Sequence, residues 1–361
     1  MRSIHDYLKE YGKYTFLEKE FNEVDNVILS ELSYIDFSGI VPMIDGGSIK
    51  LKDASRLFYE RYDKKEIKKN ILSVREAEFL LKEIADSNRF KNLELLNYEY
   101  QVSFEEQFGA LCIKLPNRMM YVSYEGTDNY VSGWKEDFML SYNFPVRSQA
   151  LAIEYLNMVA SKNPFGPKIY VGGHSKGGNL ALVAAMYCKN RVYRKIKQVY
   201  SNDGPGLRKK EFETNRYKRV AYRFTHIVPE ESFIGMILTS DDNFTVIKSS
   251  KKKFFQHDAT SWVVEGNHFA RGELSEFSNR ARKAMLNWLA KLNDKQKEEF
   301  VRVAFGILKS AEIDDLNDIK QSKISNMMKI LKEMKNVSRE NRDMLTNVLK
   351  RLYEEWKLNE N

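Results

Sequence analysis

The chain has 361 residues, 43% of them hydrophobic and 12% aromatic. That suits one large domain with an appendage, or two ordinary domains, and excludes a chain disordered throughout. Lys and Arg total 58 against 50 Asp and Glu, a net charge of +8 that permits an anionic partner without requiring one.

The excess is local. Between Lys189 and Arg223 stand twelve basic and three acidic residues, and the rest of the chain is close to neutral. Cys112 and Cys188 are the only cysteines, and neither lies in a CxxC. A disulfide framework, a redox pair and a zinc ribbon are therefore not expected. Met1–Tyr7 lacks the apolar stretch of a secretory signal, and no apolar run approaches the ~18 residues that span a bilayer. The expectation is a soluble, reduced, cytoplasmic protein with no metal and no cofactor.

Taken in chain order, residues 1–100 read as a mostly helical segment. Val27, Ile28, Leu32 and Ile35 fall on one face, with Asp25 as the expected cap. From 109 to 250 the pattern alternates. Strands are predicted at Ala110–Leu115, Met119–Tyr124, Ile169–Gly172, Gln198–Ser201, Val220–Phe224 and Phe244–Lys248, with helices at 147–160 and 178–188 between them. Such alternation predicts an α/β fold with a mostly parallel central sheet. From 271 to 361 the chain reads as a C-terminal all-helical extension. Leu286, Leu289 and Leu292 mark one face, Leu345, Val348, Leu349, Leu352 and Trp356 another, and Asn293 with Gln296 resembles a capping pair. The expected division is 1–270 and 271–361.

Chemistry concentrates in Lys168–Leu182. Gly173-His174-Ser175-Lys176-Gly177 is a G-x-S-x-G, with a strand-like run before it and a helix-like run after it, the setting of a nucleophile elbow. Such a turn projects Ser175 Oγ from the sheet and puts the Lys176 N–H at a helix N-terminus, where it can donate to an oxyanion. Phosphate-loop signatures do not fit, because G-x-G-x-x-G counted from Gly172 meets His174 and no Gly-Lys-Ser/Thr closes the loop.

A serine nucleophile needs a base, and of five histidines only His226, His257 and His268 follow Ser175. His226 comes early, directly after the strand predicted at 220–224. His257 lies in the loop after the strand predicted at 244–248, where the fold places its base, and His268 is the reserve. The acid is Asp203, held at the end of a strand by Gly204-Pro205-Gly206, or else Glu230 or Glu231 after the next strand. A second oxyanion donor is expected from Tyr121–Asp128, with Thr127 as the candidate. Phe233–Leu238 reads as a lid or acyl-chain wall, or as a buried helix.

These residues resemble the α/β-hydrolases of the fungal-type (class 3) lipase group, and a bacterial branch of it in particular. The matching pieces are Tyr124-Glu125-Gly126-Thr127 with Trp134 and Asp137, Gly172 through Ala181, Asp203-Gly204-Pro205-Gly206, and Gln256-His257-Asp258 with Ser261-Trp262. Val24–Tyr34 and the helical tail extend the similarity over nearly the whole chain. The resemblance implies an α/β-hydrolase fold and a Ser–His–Asp hydrolase, with Ser175 as nucleophile, His257 as base, and Thr127 and Lys176 as oxyanion donors. The chain departs from the lipases at Glu125, where they carry Arg, and at His226, where they carry the triad Asp. The second departure moves the acid to Asp203.

The expected activity is cleavage of a carboxylic ester through an acyl-enzyme. A hydrolase fold that binds without catalysing is the alternative. The Lys189–Arg223 charge, placed partly beside the site, points to an anionic small-molecule or lipid ester, or an anionic membrane surface. Binding of nucleic acid through the same stretch is disfavoured, because charge runs most often form solvated faces.

Overall fold

The structure is a computed structural model that describes residues 1–62, 77–102, 107–127, 131–161, 166–241, 243–311, 313 and 323–358. Its centre is an eight-stranded sheet whose strand order is the chain order: β1 (Ser48–Lys50), β2 (Glu94–Val102), β3 (Gln107–Leu115), β4 (Met119–Tyr124), β5 (Lys168–His174), β6 (Ile196–Asn202), β7 (Phe224–Pro229) and β8 (Phe244–Ile247). Neighbours pair antiparallel from β1 to β4 and parallel from β4 to β8. The class is α/β, with a mostly parallel sheet.

Right-handed crossovers between strands laid down in one direction put every connecting helix on the same face. The other face has to be covered by something else. The N-terminal segment covers it, with α1 (Ile4–Tyr11), α2 (Glu23–Glu31), α3 (Leu51–Arg61) and α4 (Ala77–Asp86). Its apolar residues bury Leu111, Ile113, Tyr121, Tyr170, Ile227 and Ile247 of the sheet. The crossover face carries α5 (Val131–Met139), α6 (Arg147–Ser161), α7 (Lys176–Tyr187), two short helices α8 (Asn190–Tyr193) and α9 (Lys209–Phe212), and α10 (Asn215–Ala221). Here α6, α7 and α10 pack on Ala110, Cys112, Val122, Val171 and Val199. Along β3 the pleat sorts the sequence, sending Leu111 and Ile113 to one core and Ala110 and Cys112 to the other.

A hairpin of β9 (Val264–Glu265) and β10 (His268–Phe269) leads to α11 (Glu276–Ala290), α12 (Asp294–Ser310), α13 (Lys323–Asn336) and α14 (Arg339–Leu358). These bury Trp288, Phe300, Val303, Leu345 and Val348 together with Val131 of α5, so the extension has its own core and rests on the helix after β4. The Asn293–Gln296 capping box is present at the start of α12.

Four expectations are corrected. Val220–Phe224 is not a strand. Thr214 caps a helix that runs to Ala221, and the strand begins at Phe224, where Thr225, Ile227 and Val228 supply the β-branched run. The first hundred residues contain β1 and β2, since pairing with the edge at β3 outweighs local propensity. Asp25 is not the cap of α2. Asn22 is, accepting from Val24 N and Asp25 N, and Asp25 sits in the first turn, where its carboxylate closes the capping box and meets Arg89. On α11 the buried positions are Ser278, Ala281, Ala284 and Trp288, Leu289 and Leu292 do join the helical core, Leu286 is only half-buried, and on α14 Leu349 is 53% exposed.

Candidate active site

β5 ends at His174 and α7 begins at Lys176, so Ser175 alone makes the turn between them. Its φ of 57° and ψ of −134° lie outside the ordinary regions for a residue with a side chain, at a cost of about 1–3 kcal/mol. Glycines make room for the turn. A Cβ on Gly173 would stand 2.4 Å from the Gly177 carbonyl carbon, and one on Gly177 would stand 2.1 Å from the Tyr124 carbonyl oxygen. Ser175 N–H donates to Asn202 O at 2.9 Å, which ties the turn to the end of β6.

Asp203 follows β6 directly, is fully buried and has φ of 49°. Its Oδ2 lies 2.7 Å from His257 Nδ1, and its Oδ1 accepts from Ser232 Oγ at 2.5 Å and from Gly235 N–H at 3.2 Å. An ionised carboxylate so placed makes Nδ1 the protonated nitrogen and leaves Nε2 for a reacting group. Among the described residues no hydrogen bond joins Ser175 Oγ to the His257 ring.

The remaining sequence candidates lie elsewhere. Glu231 Oε2 accepts from Lys253 N–H at 2.7 Å and Gln256 Nε2 at 3.0 Å, so it holds the underside of the His257 turn. The Glu230 carbonyl accepts from Ser275 N–H and Ser278 Oγ, which anchors the start of α11. His268 Nδ1 is 3.0 Å from Phe269 O on the β9–β10 hairpin. His226 lies inside β7, with Nε2 3.0 Å from Gly204 O, and burial pushes its pKa below the ordinary value. A neutral ring there props the turn that carries Asp203. Phe233–Leu238 forms one short turn at Ile234–Met236, with Met236 and Leu238 buried. Through Gly235 it belongs to the cradle of Asp203 rather than to a flap.

Several supporting residues had no signal of their own in the sequence. His174, beside Ser175, has its ring 4.6 Å from that of His257 and its Nε2 2.8 Å from the His257 carbonyl oxygen. Its Nδ1 is 3.2 Å from Glu31 of α2, and both side chains are buried. Tyr34 Oη donates to His174 O at 3.0 Å. Deeper still, Asn26 Nδ2 donates to Asn202 Oδ1 and Asn202 Nδ2 to Ser30 Oγ, each at 2.8 Å. The N-terminal segment therefore reaches the site at two points.

Thr127 and Lys176 meet the same helix. Thr127 Oγ1 donates to Asp137 Oδ2 at 2.6 Å, which leaves its backbone N–H for another acceptor. Lys176 Nζ is buried 3.1 Å from Glu136 Oε2, while Glu136 Oε1 accepts from Ser148 N–H. Successive residues of α5 thus grip both candidate donors. Burial pushes the Asp137 pKa up to about 6 against the pull of Lys176 and of the Thr127 hydroxyl, and its buried Oδ1 has no hydrogen-bond partner among the described residues. Asp128, at the end of the predicted loop, lies outside the described residues.

The basic stretch divides. Arg208, just past the carboxyl end of β6, pairs with Glu211. Lys189–Lys197 and Arg219–Arg223 gather instead where β6 and β7 begin, with Arg219 over the Tyr193 ring at 4.1 Å and Arg223 donating to Ile196 O. Most of this charge lies at the edge of the sheet away from Ser175. The part expected beside the site is confined to the stretch after β6 that holds Arg208, because α7 and α10 carry the chain back to that far edge. Among the described residues no group of three or more His, Cys, Asp and Glu could hold a metal ion, and no helix is long and apolar enough to cross a membrane.

The fold and site define an α/β protein with a strained strand–Ser–helix turn and a half-buried histidine on a buried carboxylate at the carboxyl edge of the parallel strands. The chain belongs to the Mbeg1-like family, whose model matches residues 84–306. No curated protein matches it. Among solved structures, one described as the crystal structure of M37 lipase aligns at a TM-score of 0.33 and 17% identity, covering 58% of this chain and 68% of that one.

Proposed function

We propose that the protein is a serine hydrolase of the α/β-hydrolase type that cleaves carboxylic esters. The observation that carries this reading is the 2.7 Å contact of Asp203 with His257 Nδ1 beside the strained Ser175 turn. In the proposed reaction Ser175 Oγ attacks the ester carbonyl while His257 Nε2 takes its proton. Asp203 stabilises the resulting imidazolium. The tetrahedral oxyanion is met by the backbone N–H groups of Lys176 and Thr127. The imidazolium then protonates the departing alcohol, leaving an acyl-Ser175. Water, deprotonated by His257, releases the acid and restores the serine.

A second reading is a hydrolase fold that binds without turnover, favoured by the missing hydrogen bond between Ser175 Oγ and His257. One experiment separates the two. Wild-type protein should be labelled by a fluorophosphonate probe and hydrolyse short-chain p-nitrophenyl esters. Ser175→Ala should lose both, and His257→Ala and Asp203→Asn should lower labelling by ~10³-fold or more. Folded wild-type protein that takes no label would establish the binding reading.

A further inference from the structure

The turn that carries His257 also presents an unusual surface. Lys252, Lys253, Phe254 and Phe255 are consecutive and all exposed, the two phenylalanines at 57% and 59%. Single exposed apolar residues are ordinary, but two adjacent phenylalanines both turned to water form a patch that needs an occupant. The turn beneath them is pinned. Lys253 N–H donates to Glu231, Glu231 N–H donates to Gln256 Oε1 at 2.9 Å, and Trp262 Nε1 donates to Gln256 O at 2.8 Å. The rings are held outward by a fixed base.

The apolar surface continues sideways. Phe254 meets Phe233 at 5.2 Å and Phe277 at 5.6 Å, and Phe277 meets Trp356 at 5.7 Å, so four partly exposed rings run from the His257 turn onto α11 and α14. The charges of the segment that carries the turn are of one sign, while Glu273 and Glu276 are exposed at the start of α11. Residues 243–257 contain Lys248, Lys251, Lys252 and Lys253 and no acid, and among the described residues only Lys251 of these is paired, with Asp258. Lys248, Lys252 and Lys253 are exposed.

We propose that this patch docks the protein on an anionic lipid bilayer, with phenylalanines entering the headgroup–acyl boundary and lysines meeting the anionic headgroups. A bilayer suits it better than a peptide, because rings exposed over more than half their area stand out from the surface rather than line a cleft. Docked this way, the carboxyl edge of the sheet, with Ser175 and His257, faces the membrane.

The test is co-sedimentation with vesicles of phosphatidylcholine, alone and with added phosphatidylglycerol. Wild-type protein should bind the anionic vesicles at least ~10-fold more strongly, with an affinity that falls as salt rises. The double variants Phe254→Ser with Phe255→Ser, and Lys252→Glu with Lys253→Glu, should each lower that binding ~10-fold or more while keeping wild-type circular dichroism. Ser175→Ala should bind like wild type, so the outcome is independent of whether the site is catalytic. Equal binding of wild type to both vesicles, or vesicle binding retained by both double variants, overturns the proposal. So does absence of vesicle binding together with salt-sensitive binding to polyglutamate, which would mark a protein-docking surface.

Discussion

Ser175 and Asp203 both hold positive φ angles, at 57° and 49°, although neither is glycine. Each is the first residue past a parallel strand, and the left-handed backbone turns its side chain out of the sheet plane at the carboxyl edge. Such strain persists only where neighbours over-determine it, as the Ser175 N–H···Asn202 O bond and the triple engagement of Asp203 do here. The strain gives a test that separates backbone from side chain. Ser175→Gly should raise stability to urea by about 1 kcal/mol, because glycine occupies this region freely, while abolishing fluorophosphonate labelling. Ser175→Ala should abolish labelling with no such gain. If both variants unfold at the same denaturant concentration, the turn is not strained in solution.

Helix α5 shows how one element serves both candidate oxyanion donors, and its chemistry is open to titration. The Asp137 pKa of about 6 lies above that of an unfolded aspartate, so the folded state binds the proton more tightly than the unfolded state does. The stability this contributes is fully present below about pH 4 and is lost as pH rises towards 6, by ~2–3 kcal/mol at most. Asp137→Asn should flatten that slope, and urea denaturation of both proteins between pH 4 and 7 would show it. Parallel slopes would mean that Asp137 is not the titrating group. The role of α5 was hard to read in the sequence for a physical reason. Ser175, its glycines and the Gly-Pro-Gly after Asp203 are local constraints, set by a turn a few residues long, and local constraints leave local patterns. Glu136 meets Lys176 from 40 residues away, and Glu31 meets His174 from the far face of the sheet, so each looks like any helix acid. One indirect signal exists: a lysine at position 176, opening an apolar helix, needs a buried counter-charge. The strand at 220–224 was misplaced for the opposite reason. Val220 is buried in either conformation, and only the Thr214 cap marks the helix.

At the scale of the molecule, the sequential order of the parallel strands explains the N-terminal segment. Crossovers cover one face of the sheet, and the N-terminal segment covers the other while supplying Glu31, Tyr34 and Asn26 to the surroundings of Ser175 and Asp203. That segment is locked by a fully buried ion pair. Arg89 Nε and Nη2 donate to the two oxygens of Asp25 at 2.7 and 2.5 Å, and the same guanidinium donates to the carbonyls of Lys19 and Glu20. Tyr7 Oη completes the shell of Asp25 at 2.8 Å. Breaking such a pair from one side leaves a buried charge alone. Arg89→Met should therefore cost about 3–5 kcal/mol, and adding Asp25→Leu should recover much of the loss. Because α2 carries both the lock and the support of His174, the damage should reach the site before the whole fold. In mild urea, Arg89→Met should lose fluorophosphonate labelling at a concentration where its far-UV circular dichroism is still native. If labelling and dichroism fall together, the N-terminal segment stabilises the sheet without positioning the chemistry.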